Sequence, residues 1–133
     1  MTRRSFFSGL LIVAALACST KRDAPLEPAW GKTTCAHCSM LVGDKRYAAQ
    51  AEADGERLFF DDLGCMVLWN EDHKASHVWA HRADGEGWVE ASTATFAVGA
   101  RTPMGFGVEA RSGAPLSWLQ VRERVVNHAR TTP

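Results

Sequence analysis

The chain carries no net charge: 15 lysines and arginines balance 15 aspartates and glutamates across 133 residues. Such a balance leaves no electrostatic footprint for nucleic acid or an anionic surface, so neither is an expected partner. Long apolar runs are also missing. The stretch over residues 6–17 is much shorter than the roughly 20 apolar residues a helix needs to cross a bilayer. Cysteine is sparse at four, and only one C-x-x-C occurs, Cys35-Ala36-His37-Cys38. A structural zinc site wants four Cys or His ligands in paired spacing, and the second pair is absent. Covalent haem needs His directly after the second Cys, where this chain has Ser39. No nucleophile, base and orienting group stand together, so a hydrolase has no support.

What is present begins with an export pattern. Arg3-Arg4-Ser5-Phe6-Phe7, the apolar run at residues 10–17 and small residues before Cys18 make a signal peptide over residues 1–17. The arginine pair resembles a twin-arginine signal, although such pairs also occur in ordinary ones. Ala15-Leu16-Ala17-Cys18 resembles a bacterial lipobox with its Leu one place late. It marks Cys18 for lipidation, with simple cleavage near Ala17 as the alternative. Residues 18–32, polar and bearing Pro25 and Pro28, read as a lipidated tether holding a domain off a membrane. The domain itself spans residues 33–133, in two subdomains of about 33–74 and 75–133. Five Trp and six Phe supply bulky core material.

Residues 46–53 and 56–60 flank Asp54-Gly55, the dipeptide suited to a type I′ hairpin turn. Asp61 or Asp62 can cap a helix running to about Asn70. The pattern then restarts: residues 76–82 and 88–92 form a second hairpin around residues 84–87, and residues 95–98 and 106–111 are further strands. Pro115 suits the first turn of a closing helix, with Leu116, Leu119, Val121, Val125 and Val126 as its apolar stripe. Two hairpins, each followed by a helix, give an α+β fold of two small related ββα units.

The chemistry concentrates at Cys35-Ala36-His37-Cys38-Ser39-Met40. Thiolate and thioether sulfur are soft donors that select copper(I) over hard cations. Cys38 and Met40 are two residues apart, so an extended segment would aim both the same way. Two other readings of the C-x-x-C stay open. One is a redox pair, for a periplasmic thiol-disulfide oxidoreductase using Cys35 and Cys38, although a thioredoxin-type βαβ pattern is not evident around it. The other is a plain structural disulfide. Leaving Cys18 aside, the odd thiol count (Cys35, Cys38, Cys65) means full pairing within the chain is impossible.

Three ordered blocks carry a resemblance to a known family. Cys38-Ser39-Met40-Leu41-Val42-Gly43, FDDLGCMVLW at residues 60–69 and TPMGFG at residues 102–107 resemble the Cys-Gly-Met segment, the Phe-Asp block and the Thr-Pro-Met-Gly loop of the NosL family. These are accessory copper lipoproteins of nitrous oxide reductase maturation in denitrification. Ser39 departs from the family's usual Gly and adds a Cβ in a turn. The resemblance implies a NosL/MerB-like fold and a periplasmic, lipid-anchored copper(I) metallochaperone rather than an enzyme. Its partner would be the membrane transporter and assembly complex of nitrous oxide reductase. It maps copper ligation onto Cys38 and Met40 and makes Met104 a candidate third sulfur.

Cys35 and His37 are candidate helpers. Cys65 and Met66 diverge around a helix and read as packing, Asp61 and Asp62 as a cap or as groups orienting the site, and His77 and His81 as surface histidines with a lesser claim as ligands. The rival from another class is a thiol enzyme like organomercurial lyase, which needs a proton donor, such as Asp61 or Asp62, beside reactive thiols. On this reading the reduced protein lacking residues 1–17 binds one copper(I). In competition with a chelator, Cys38→Ser or Met40→Leu should weaken binding more than Cys35→Ser does.

Overall fold

The computed structural model of the chain describes residues 23–133; the signal region and Cys18 lie outside the described residues. Two helices and two antiparallel sheets make an α+β fold. Strands β1 (Ala49–Ala53) and β2 (Glu56–Phe60) form the first hairpin in the register Ala53↔Glu56. Asp54 and Gly55 between them have φ of 50° and 80°, the double positive φ that a type I′ turn requires. Helix α1 (Leu63–Asp72) follows at once, and its N-cap is Asp62, whose carboxylate accepts from the Gly64 N–H.

The second hairpin is β3 (His77–His81) with β4 (Trp88–Glu90). Strand β3 also pairs with β1, so both hairpins merge into one sheet of order β2-β1-β3-β4. Strands β5 (Phe96–Val98) and β6 (Val108–Ala110) pair separately and stand between the second hairpin and helix α2 (Trp118–Thr131). Pro115 falls short of that helix. Ser117 and Gln120 form a reciprocal capping box, which satisfies two first-turn donors and starts the helix after the proline. Among the described residues no helix is long and apolar enough to cross a membrane.

Strand alternation sends Ala49, Ala51 and Ala53 into the core with Phe60, Leu63, Cys65, Met66 and Val67. The opposite face of the sheet carries Gln50, Arg57, Trp79 and His81, and the segment expected as a tether lies across it as a strap from Asp23 onward. Gln50 bonds both the N–H and the carbonyl of Leu26. Arg57 donates to the Ala24 carbonyl and sits 4.4 Å over the Trp79 ring. The Glu27 carboxylate accepts from the indole N–H groups of both Trp30 and Trp88, which stack on each other. Composition alone reads this stretch as a spacer, because its anchoring partners are tens of residues away in sequence.

Gly64 fixes where the loop over residues 102–107 meets α1, since a Cβ there would overlap the Phe106 ring. Gly64→Ala should therefore cost about 1–3 kcal/mol, the usual penalty of overpacking. Gly43→Ala, whose Cβ would enter open space, should change stability by no more than about 0.5 kcal/mol. Urea denaturation of the two variants checks the contrast.

Candidate metal centre

The Cys35–Met40 segment is a closed loop. Thr34 and Leu41 pair across its base, the Cys35 N–H donates to the Met40 carbonyl at 2.7 Å, and the Ser39 N–H donates to the Cys35 carbonyl at 3.1 Å. Ser39 closes the turn at φ 68°, a region that costs a residue bearing a Cβ roughly 1–2 kcal/mol. The segment thus turns where an extended run was expected. Strand alternation does not relate Cys38 to Met40. The loop is tied to the end of β2 through the Ala36 N–H and the Phe59 carbonyl.

That tie brings three separate pieces of chain together. The loop supplies Cys35 and Cys38, the β2–α1 junction supplies Asp61, and the first turn of α1 supplies Cys65. Their three sulfurs and a carboxylate oxygen all lie within 4.8 Å of one another. An ion bridging two thiolates at about 2.3 Å each would hold them no more than about 4.6 Å apart, so the cluster closes on an ion with little rearrangement. Three soft donors and one hard oxygen have the spacing and chemistry of a metal site. The three thiols are free.

The environment grades the thiols. Cys35 and Cys65 are buried, at 2% and 0% exposure, while Cys38 is half-buried. The Cys65 thiol and the backbone N–H groups of Cys38, Asp61 and His37 all bond the Cys35 sulfur and lower its pKa to about 6 against the pull of burial. It is the most readily deprotonated thiol of the set. Burial first, then hydrogen bonding with Asp61 and the charge of Cys35, raise Cys38 to about 11. Cys65 moves far up, mainly through its bond to Cys35 and then through burial. The Cys38 thiol donates to Asp61 Oδ1 at 3.2 Å. Asp61 Oδ2 is buried with no hydrogen bond among the described residues, an unmet acceptor that a cation or a proton would satisfy.

Asp62 faces the other way. Besides capping α1, its Oδ2 accepts from the Met104 N–H at 2.9 Å, so the loop over residues 102–107 is hung beside the cluster. Met104 and Met40 have half-exposed side chains, 42% and 52%. The Met40 backbone is bonded to Cys35 of the cluster and the Met104 backbone to Asp62 beside it. His37 is exposed and contributes its backbone rather than its ring. His77 stacks on Trp79 near Asp23 and Glu90, and His81 packs edge-on against Trp30 and Trp88. Both lie on the strap-covered face, outside the Cys/Asp cluster.

Cys65 is the ligand candidate that sequence reasoning passed over, having read it as packing. Two signals pointed to it: the odd thiol left by a single C-x-x-C, and its position four residues after Asp61, which becomes one helical turn once Asp62 caps the helix. Comparison with protein-family models, with curated proteins and with solved structures finds no match for this chain.

A depressed thiol pKa stabilises the fold fully above the unfolded value of about 9, and that contribution is lost as pH falls through about 6. The reduced, metal-free protein should therefore gain stability between these limits. A thiolate ultraviolet band should appear with a midpoint near pH 6 and vanish in Cys35→Ser. A first midpoint near pH 9 in wild type would refute the assignment.

Proposed function

We propose that this chain is an exported, lipid-anchored copper(I) metallochaperone of the NosL type. It would work on the periplasmic face of a membrane and supply copper for the maturation of nitrous oxide reductase through a membrane transporter and assembly complex. The observation that carries the reading is the gathering of three thiol sulfurs and the Asp61 carboxylate within 4.8 Å. Three thiolates are donors that suit soft monovalent copper.

The arrangement of the three NosL-like blocks adds support. Cys38 of the first touches Asp61 of the second, and the Met104 backbone of the third is bonded to Asp62 of the second. Blocks far apart in sequence are joined at one place. Half-buried Cys38, with Met40 and Met104 exposed on loops whose backbones are bonded to Cys35 and Asp62, offers a partner's sulfur an approach while the buried thiols keep their hold. Copper(I) accepts two or three donors, so an incoming ligand can add before an old one leaves. Lipidation of Cys18 would hold the loaded domain at the membrane where its recipient sits.

One contact favours a second reading. Asp61 against Cys38, beside two further thiols, is the arrangement that protonolysis of a mercury–carbon bond needs. As mercury binds, the Cys38 thiol would pass its proton to Asp61, which would deliver it to carbon while mercury stays on the thiolates. Release of benzene from a phenylmercury salt by wild type, and none by Asp61→Asn, would favour that enzyme.

Anaerobic titration of the reduced protein against a coloured copper(I) chelator tests the main reading. One equivalent should bind tightly, and Cys38→Ser should lose at least about tenfold in affinity, or 1.4 kcal/mol. Equal affinity in wild type and Cys38→Ser would overturn it.

A further inference from the structure

His77 stands where the strap begins, and carboxylates approach it from three elements. Its Nε2 lies 3.4 Å from Asp23 Oδ1 on the strap, and its Nδ1 lies 3.8 Å from Glu90 Oε1 on β4. Only the imidazolium carries an N–H on both nitrogens, so carboxylates on both sides match the charged ring and not the neutral one. On β1 the register sets Glu52 directly opposite His77, which places their Cβ atoms about 5 Å apart on one face of the sheet. Glu52 is 7% exposed, and its Oε2 accepts no hydrogen bond among the described residues. Arg57 of β2 supplies a cation to this face, opposite Glu52 in register and seated over Trp79.

We propose that His77 is a proton-operated latch for the strap: as imidazolium it pairs with Asp23 and Glu90 together and holds the start of the strap to the sheet, and as neutral imidazole it releases that end. Histidine ordinarily changes charge between about pH 5 and 8, a range in which ordinary carboxylates stay ionised. The ion pairs therefore exist on the acid side and disappear as pH rises. Stacking on Trp79, with ring centroids 5.3 Å apart, does not need the charge, so the ring is held between the two carboxylates in either state.

The neighbouring fastenings do not depend on a proton. Leu26 is held by the Gln50 carboxamide and Ala24 by Arg57, groups whose charge is fixed over this range. At its other end the strap runs into the cysteine loop, where the Gly31 N–H bonds the Val42 carbonyl. Opening the latch thus lengthens the free chain on the N-terminal side and leaves that junction alone. His81, the other imidazole of this face, packs edge-on against Trp30 and Trp88 with its Nδ1 at 2.9 Å from the Arg82 carbonyl. The latch concerns the N-terminal segment and stands whether or not the thiol cluster carries copper.

Hydrogen exchange of the Leu26 N–H, which bonds Gln50, reports how firmly the strap is held. It is followed by nuclear magnetic resonance on the full chain in low salt at about pH 5.5 and about pH 8, with intrinsic exchange rates divided out. Wild type should be about threefold better protected at the acid end, the scale of a partly exposed ion pair, and about 1 M salt should remove the difference. The direction is opposite to that of the Cys35 thiol, whose ionisation stabilises the fold as pH rises. His77→Gln and Asp23→Asn should stay at the lower protection throughout, and His77→Lys, charged over the whole range, at the higher. The two side chains are 35% and 76% exposed, so these changes leave the core intact. Absence of the pH dependence in wild type would overturn the latch, and so would its survival in His77→Gln, which would assign it to His81 instead.

Discussion

Two adjacent carboxylates at the end of β2 hold the site together by facing opposite ways. Asp62 turns toward the helix, capping α1 through Gly64 and anchoring the loop over residues 102–107 through Met104. Asp61 turns toward the thiols and takes the Cys38 hydrogen bond. Extended backbone at the junction, with φ −136° and ψ 136° at Asp62, sends successive side chains to opposite sides. Without that alternation the cap and the cluster would compete for one residue. With it, strand end, helix start, cysteine loop and methionine loop share a single junction.

The cluster is costly to the empty protein and inexpensive to fill. Burial and the contacts among the three crowded thiols drive their protonation apart: Cys35 is driven down, and Cys38 and Cys65 up. A cation held among them would compensate the thiolates together, which would link binding energy to folding energy. Ser39 adds backbone strain at the loop's tightest point, where a glycine would sit freely. Such strain is tolerated because the loop is held at its base by the Thr34–Leu41 bridge and at its flank by Phe59.

Local chemistry was legible in the sequence where neighbours decide the outcome. Asp54-Gly55 announced the first hairpin, and the Asp61-Asp62 pair announced the start of α1, because turn and cap chemistry acts over two or three residues. Pro115 misplaced the second helix by a few residues, since the stronger Ser117–Gln120 box lies just beyond it. The strap was hidden for the opposite reason: Glu27 is held by Trp88 and Leu26 by Gln50, partners that only the assembled sheet brings near. Cys65 was hidden likewise. An apolar helix face and a ligand position look the same until the loop bearing Cys35 and Cys38 is folded onto it.

The central claim is that Cys35, Cys38 and Cys65 act as one metal site rather than as a reactive loop beside an inert core cysteine. Nuclear magnetic resonance of protein labelled with carbon-13 at the cysteine β carbons, titrated anaerobically with copper(I), tests it most directly. The three signals should shift together and be complete at one equivalent. Movement of the Cys38 signal alone, with Cys35 and Cys65 unchanged at saturation, would contradict the account.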